Sequence, residues 1–504
     1  MSPRKDRIAW IAAAIVFVVH AAGNPHYGFF RDELYFIICG FHPAWGYVDQ
    51  PPLAPLLAAG SQLFGHSLFL LRLIPAAFAG AGAYVTCRIA AELGGDAFAE
   101  VVAALTYGFA GVLMAFGMKV GPDMAGLWLW PLIALYAIRI VRGADPRWWL
   151  AAGIAAGVAF ETKYTVVFFA IAIVLGLSIT PYRRVLFDRW FAAGIAVAVL
   201  IGLPNVVWQA VHQFPMIELL RNGHDDKNVH TSPIVYIFQQ LLITNLFLWP
   251  VWVIGLIALL RDAQVRFLGY TYVVLMVLML TLGAKDYYPA DIYPILLAAG
   301  AVAIAGWVRR PLWRAVLATV IVACGLIFAP FTLPVLSENA MAAYDARVES
   351  TLGIHKSVLQ NERGATATLP NDFADMHGWP ELAQHVATVY YSLRSDERPR
   401  AGIFASNYGE ASAINFFGPA YGLPAAVSGH NNYWLWGPNG YDGSVLIEVG
   451  GHCFADGHIY ASAIEASHLD DPWTMSYERH QPITICRRPT MTLQALWPQL
   501  KNYN

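Results

Sequence analysis

Asp32, Glu33 and Asp49 lie together in the stretch RDELYFIICGFHPAWGYVDQPP, Arg31 to Pro52, directly after a first apolar run. Phe29, Phe30, Tyr35, Phe36, Phe41, Trp45 and Tyr47 surround them, and the rigid pair Pro51-Pro52 follows. A hydrophobic run that stops at Arg-Asp-Glu has met water. Carboxylates held at that boundary are placed to act as bases toward a substrate arriving along a bilayer surface. Further charged groups recur where other apolar runs begin or end: Asp123 in Gly121-Pro122-Asp123, Lys163 in Glu161-Thr162-Lys163-Tyr164, and Lys285 in Lys285-Asp286-Tyr287-Tyr288-Pro289. Acids that activate a hydroxyl and a lysine that holds a phosphate suit transfer from a lipid-borne donor.

Each of these residues also has a plainer reading. Acids are favoured at helix starts by the helix dipole, so Asp32 and Glu33 can simply open a helix. Asp49 before Pro-Pro and Asp123 before an apolar run both suit an N-cap. Lys163 can snorkel to the interface, and Tyr287 and Tyr288 can form an aromatic belt. As neighbours on a helix, Asp32 and Glu33 point in different directions, one free for chemistry while the other holds Arg31.

The elements that must position these groups are transmembrane helices. The chain has 504 residues, 57% hydrophobic and only 13% charged. Soluble domains carry roughly 25% charged residues, so much of this chain has lipid as its solvent. A spanning helix needs about 20 apolar residues, which predicts about eleven spans. They are Ile8–Gly23, Leu68–Ala91, Phe98–Gly117, Met124–Val141, Trp148–Phe160, Tyr164–Thr180, Trp190–Val211, Ile234–Leu260, Phe267–Gly283, Pro289–Val308 and Leu312–Phe331. The first is read as an uncleaved helix, because no small-x-small cleavage site follows it. Alternate loops carry Arg4, Lys5 and Arg7; Arg88; Arg142 and Arg147; Arg183, Arg184 and Arg189; Arg261 and Arg266; and Arg309, Arg310 and Arg314. The positive-inside rule puts these in the cytoplasm with the N-terminus, and places the acidic loops and everything after Phe331 outside. The expected division is a transmembrane domain, 1–331, with interfacial helices in its first outer loop, 24–67, and an extracytoplasmic domain, 332–504. The segment Leu34 to Gly46 is expected to be one such interfacial helix.

From Ser337 onward the apolar runs are short and β-like: Ala401–Ala405, Ala425–Ser428, Val445–Val449 and Ile483–Cys486. Helical stretches at Trp379–Leu393 and Gly409–Phe417 alternate with them, which predicts a soluble α/β domain. Cys453 and Cys486 fall in it, and are open to two readings, a disulfide in an oxidising compartment or two buried thiols.

Several functions are excluded or disfavoured. A net charge of −2 leaves no basic surface for nucleic acid. There is no GxSxG elbow, no GxxxxGK[ST] loop, no HExxH pair and no CxxC spacing. The loop Gln213–Pro233 carries Arg221, His224, Asp225, Asp226, Lys227 and His230, a mixed set suited either to contacting substrate or to ordinary solvation. A divalent metal is compatible with this composition but no ligand set requires one, and no cofactor is expected. The rival class is a transporter or flippase of lipid-linked saccharides, against which stand the missing internal repeat and the acids gathered on one face. A third reading makes the C-terminal domain the working part and the membrane region its scaffold.

The order of these motifs resembles the GT-C-fold membrane glycosyltransferases, specifically the protein O-mannosyltransferase and lipid A aminoarabinose-transferase family. The matching elements are Asp32-Glu33 after the first span, Asp49-Gln50-Pro51-Pro52-Leu53, Pro122-Asp123 at a span start, Thr162-Lys163, and Lys285 to Pro294 with its Tyr-Tyr-Pro and Tyr-Pro. The resemblance covers roughly Ile8 to Phe331. It implies an inverting transferase that takes a sugar from a polyprenyl-phosphate carrier and passes it to a lipid, glycan or protein acceptor on the outer face of the plasma membrane. In that family's terms Asp32 is the catalytic base and Asp123 a second acid of the donor site. Lys163 binds the lipid phosphate, Asp49 lines the donor or acceptor cavity, and Tyr287 or Tyr288 contacts phosphate or sugar, with Glu33 and Lys285 nearby as substrate-binding groups. Aminoarabinose transferases carry Lys before Pro-Pro, where this chain has Gln50, which weighs against a second phosphate contact and against aminoarabinose as the sugar.

Overall fold

The computed structural model of the chain describes residues 6–24, 26–226, 232–352, 367–454 and 459–504. Each of the eleven apolar stretches expected to span is helical over most of its length, which lets its backbone N–H and C=O groups satisfy one another. Among the described residues, Leu68–Glu92, Arg189–Val211, Ala290–Trp307 and Pro311–Phe331 are each long and apolar enough to cross a membrane. Two bent pairs bring the number of such segments to 6, and the helices Arg7–Gly23, Gly126–Val141, Trp148–Phe160, Val166–Ser178 and Arg266–Thr281 are apolar but shorter.

The bent pairs correct the expectation of continuous spans at Phe98–Gly117 and Ile234–Leu260. The first breaks by 66° between Ala97–Gly108 and Gly111–Met118, the second by 112° between Pro233–Thr244 and Trp249–Arg261. Asn245 turns the chain at the second break with φ +147°. Its side chain then serves both breaks. Oδ1 accepts from the Phe247 N–H at 3.0 Å, and Nδ2 donates to the Phe109 carbonyl at 3.2 Å, a group that the first break leaves without its helical partner. The Trp252 indole donates across the second break to Thr244 Oγ1 at 3.1 Å.

Contacts divide the chain into two compact units. The first contains Met1–Asn24, Phe69–Trp208 and Val229–Val335, and its core is a continuous cluster of Leu, Ile, Val, Ala and aromatic side chains. Small residues let its helices meet backbone to backbone. A Cβ on Gly255 would collide with the Leu296 carbonyl, and one on Gly300 with the Val251 carbonyl, so Trp249–Arg261 and Tyr293–Trp307 lie in direct contact.

The second unit contains Pro25–Leu68, Gln209–Asn228 and Leu336–Asn504, so the acidic stretch Arg31 to Pro52 packs with the C-terminal segment. Its sheet has five strands: β1 Ala401–Ala405, β2 Ala426–Val427, β3 Val445–Val449, β4 Tyr460–Leu469 and β5 Gln481–Pro489, in the order β2-β1-β3-β5-β4. β1 runs parallel to β2 and β3, while β5 is antiparallel to β3 and β4. β1 and β3 are buried throughout, which is why they read as unbroken apolar runs. β4 lies at the edge, mostly exposed and irregular between Glu465 and Ser467, so its sequence YASAIEASHL shows no strand pattern. Cys453 and Cys486 form a disulfide with Cα atoms 6.1 Å apart, joining β5 to the loop after β3.

The expected interfacial helix Leu34 to Gly46 is instead Arg31–Phe41. It stops because His42 precedes Pro43 and takes φ −113°, ψ 68°, outside the helical region that a residue before proline avoids. It therefore carries Asp32 and Glu33 in its first turn.

The glycine contacts give a stability prediction. Gly255→Ala or Gly300→Ala lowers stability by about 1–3 kcal/mol through overpacking, whereas Gly306→Ala, with open space around it on the same helix as Gly300, is neutral or better. Thermal unfolding of the detergent-solubilised protein measures the difference.

Candidate functional site

The acids that sequence leaves open between capping and chemistry separate cleanly in the structure. Glu33 caps: its buried carboxylate accepts from the Phe30 N–H at 3.0 Å, at the start of its own helix. Asp49 does not cap the following helix Leu53–Ser61, whose N-cap is Pro52. Its Oδ1 accepts from the Tyr35 hydroxyl at 3.1 Å, and its Oδ2 from Asn431 Nδ2 at 3.2 Å. Asn432, next along the chain, accepts from the Val48 N–H at 2.9 Å and donates its own N–H to the Tyr35 hydroxyl at 3.3 Å. Burial, with a smaller contribution from the neighbouring Asp32 charge, pushes the Asp49 carboxyl up to about 7 against the pull of the Tyr35 and Asn431 hydrogen bonds.

Asp32 stays one-third exposed and its two oxygens differ. Oδ1 accepts from the Tyr408 hydroxyl at 2.7 Å and lies 3.7 Å from Arg31 Nε, whereas Oδ2 has no hydrogen-bond partner among the described residues. Arg31 is committed elsewhere: Nη2 pairs with Asp375 at 3.2 Å and Nη1 donates to the Tyr477 hydroxyl at 2.6 Å. Sequence reasoning missed Tyr408, Asp375, Tyr477 and Asn431, because their partners lie hundreds of positions away and no local spacing marks them.

The other group forms in the helical unit. Asp123 does not cap the helix Gly126–Val141, whose N-cap is Ala125. It forms an ion pair with Lys163, both side chains being about four-fifths buried. The Lys163 ammonium also lies 4.5 Å from the Tyr288 ring centre and 5.1 Å from that of Tyr287, a cation held over two π faces. The tyrosine segment is gripped through its backbone: Tyr236 donates to the Lys285 carbonyl at 3.2 Å and Gln240 Nε2 to the Asp286 carbonyl at 2.9 Å. Tyr293 in turn donates to Gln240 Oε1 at 2.7 Å, fixing which way that amide points.

Asp291 joins this group and was not expected. It is buried, lies within electrostatic reach of Lys163 and Asp123, and its Oδ1 has no hydrogen-bond partner among the described residues. Its carboxylate occupies the space a Cβ on Gly126 would take. The signal was in the sequence, a lone acid opening the apolar run Ala290–Trp307. Of the loop Gln213–Pro233, the side chains of His224, Asp225 and Asp226 and all of Lys227 and His230 lie outside the described residues.

Residues 49–208 match the family model described as dolichyl-phosphate-mannose-protein mannosyltransferase. Over 266 residues the chain is 29% identical to undecaprenyl phosphate-alpha-4-amino-4-deoxy-L-arabinose arabinosyl transferase 1 of Pseudomonas fluorescens, a match covering 48% of this chain and 46% of that protein. The chain thus spans about half the length of that curated relative. The solved structure of ArnT from Cupriavidus metallidurans bound to undecaprenyl phosphate superposes with a TM-score of 0.59 at 16% identity, covering 97% of this chain and 99% of that one. Its apo form gives 0.58, covering 94% and 97%. The GT-C fold implied by the motif order is therefore the fold observed.

Two outcomes follow from this geometry. Gly126→Ala displaces the Asp291 carboxylate and destabilises the helical unit more than Gly306→Ala does, read again by thermal unfolding. Asp49 supplies a pH test. Between pH ~4 and about 7 the folded protein keeps a proton on Asp49 that the unfolded chain has released, so stability falls as pH rises through that window. Asp49→Asn flattens this slope in melting curves taken across the range. Burial holds Glu410 and Glu448 at about 8, so their share of the slope remains in the variant.

Proposed function

We propose that this protein is a membrane glycosyltransferase that moves a sugar from a polyprenyl-phosphate-linked donor to a lipid, glycan or protein acceptor on the outer face of the membrane, with inversion. The observation that carries the reading is Lys163, a largely buried cation held by Asp123 and two tyrosine faces. A lysine kept away from water needs counter-charge, and a lipid phosphate arriving from the bilayer is the anion that such a position suits. The fold, and a solved relative described as bound to undecaprenyl phosphate, support the same donor class.

Each reacting group then has one task. The acceptor hydroxyl gives its proton to Asp32 as its oxygen bonds to the anomeric carbon. The bond from that carbon to the phosphate oxygen breaks, and its electron pair leaves with the polyprenyl phosphate. Lys163 offsets the charge that builds on this leaving group, and Asp123 holds the lysine in place. Asp291 adds negative charge near the same cation, and Asp49, Lys285, Tyr287 and Tyr288 line the substrate positions. Glu33 contributes by fixing the first turn that carries Asp32.

All of the apolar stretches cross the membrane in this reading, about eleven spans. The N-terminus is cytoplasmic, and the C-terminal segment lies outside the plasma membrane. The Cys453–Cys486 disulfide supports that side, since such bonds persist in oxidising compartments.

Cells lacking the protein accumulate the unused polyprenyl-phosphate sugar, which mass spectrometry of extracted lipids identifies. Wild type clears it, while Asp32→Asn and Lys163→Met, purified as monodisperse protein, turn it over at least ~100-fold more slowly. Wild-type turnover by Asp32→Asn would remove the base assignment, and absence of any accumulating lipid-linked sugar would remove the donor class.

A further inference from the structure

We infer that Tyr408, from the C-terminal segment, is a positioning residue for Asp32, holding one carboxylate oxygen so that the other receives the acceptor's proton. The inference rests on the reading of Asp32 as the base and assigns the C-terminal segment a direct part in the reaction. Its foundation is the asymmetry at Asp32. Both protein contacts, the Tyr408 hydroxyl at 2.7 Å and Arg31 Nε at 3.7 Å, fall on Oδ1, and Oδ2 has no hydrogen-bond partner among the described residues. A carboxylate without such an anchor rotates freely about its side-chain bonds. Anchored at one oxygen, it presents the other in a single direction.

The anchor is itself held on several sides. The Tyr408 ring lies 4.6 Å from Tyr35 and 4.9 Å from His430, and the Arg31 guanidinium sits 5.6 Å from its centre. Tyr408 opens the helix Tyr408–Phe417, whose cap is closed reciprocally. Asn407 Oδ1 accepts from the Gly409 and Glu410 N–H groups at 2.8 and 3.0 Å, and the Glu410 carboxylate accepts from the Asn407 N–H at 3.3 Å. Gly409 is needed for the approach, because a Cβ there would collide with the Arg31 stem. In Asn407-Tyr408-Gly409-Glu410, therefore, one residue contacts Asp32 and the other three place it. Burial pushes the Tyr408 hydroxyl well above its ordinary value, so it keeps its proton and donates throughout the working pH range.

Among the described residues, the charged and titratable groups around Asp32 include Arg31 on its own helix, Asp49 on the loop that follows, and Tyr408 on the helix packed against it, with Asp375, Tyr477, Glu410 and Glu478 around Arg31. Removing the Tyr408 hydroxyl takes from the ionised carboxylate its short hydrogen bond and leaves Arg31 Nε at 3.7 Å, so Oδ2 loses its fixed direction and proton transfer suffers while donor binding does not.

The test compares wild type, Tyr408→Phe, Tyr391→Phe and Asp32→Asn in membranes, measuring release of polyprenyl phosphate against the concentration of a polyprenyl-phosphate sugar. Phenylalanine keeps the ring contacts, and Tyr391→Phe is the control, losing a hydrogen bond to the Tyr421 carbonyl in the same unit. For Tyr408→Phe we expect kcat to fall about tenfold while donor KM changes less than about twofold. The same split is expected in an Asp49→Asn background, where the neighbouring carboxyl is absent. A wild-type kcat, a donor KM that rises as kcat falls, a split that disappears with Asp49, or a loss equal to that of Tyr391→Phe overturns the inference. Asp32→Asn separates the two levels. If it is inactive while Tyr408→Phe keeps the wild-type kcat, only the Tyr408 inference fails; if it is fully active, the base assignment beneath it fails.

Discussion

A charged side chain withdrawn from water must be neutralised by its neighbours, and both units of this protein are built around that cost. In the helical unit one such charge is the Lys163 ammonium, answered by Asp123 and by the faces of Tyr287 and Tyr288. In the other it is the Arg31 guanidinium, answered by Asp375, by the Tyr477 hydroxyl and by the ring of Tyr408. The device is the same in each: one cation, a carboxylate and tyrosines. The two cations differ as their chemistry requires. The compact ammonium of Lys163 is a point charge on a flexible stem, while the planar guanidinium of Arg31 is spread over several fixed partners.

Neighbouring acids with different work are a consequence of helix geometry. Asp32 and Glu33 stand side by side in the first turn of Arg31–Phe41, about 100° apart around the axis. That rotation turns Glu33 inward to the orphan N–H of Phe30 and leaves Asp32 partly exposed against Tyr408. One acid closes the helix start and the other remains available, and neither does the work of both.

The breaks in the helical unit follow the same economy of polar groups. Interrupting a helix in apolar surroundings frees carbonyl and N–H groups at a cost of several kcal/mol each if they stay unpaired. Asn245 offsets this at two breaks together, with one end of its amide on Phe247 and the other on Phe109. The helix Pro233–Thr244 then presents Tyr236 and Gln240 to the backbone of Lys285 and Asp286, which sets the position of the tyrosines beneath Lys163. The break thus bears directly on the site.

Much was legible without coordinates. Apolar runs of spanning length, arginines in alternate loops, and β1 and β3 as buried strands are properties of local composition and period, so the helical unit, the α/β segment and the candidate acids around Asp32, Asp49, Asp123 and Lys163 all appear in the chain itself. Only the tertiary structure decided which of those acids cap helices and which do not, because a cap and a catalytic carboxylate share one sequence signature and differ only in what lies opposite. Asp291, Tyr408 and Asn431 gained their places in the same way. Their partners are brought to them by packing across hundreds of residues, and no pattern read along the chain carries a contact that the chain makes only by folding back on itself.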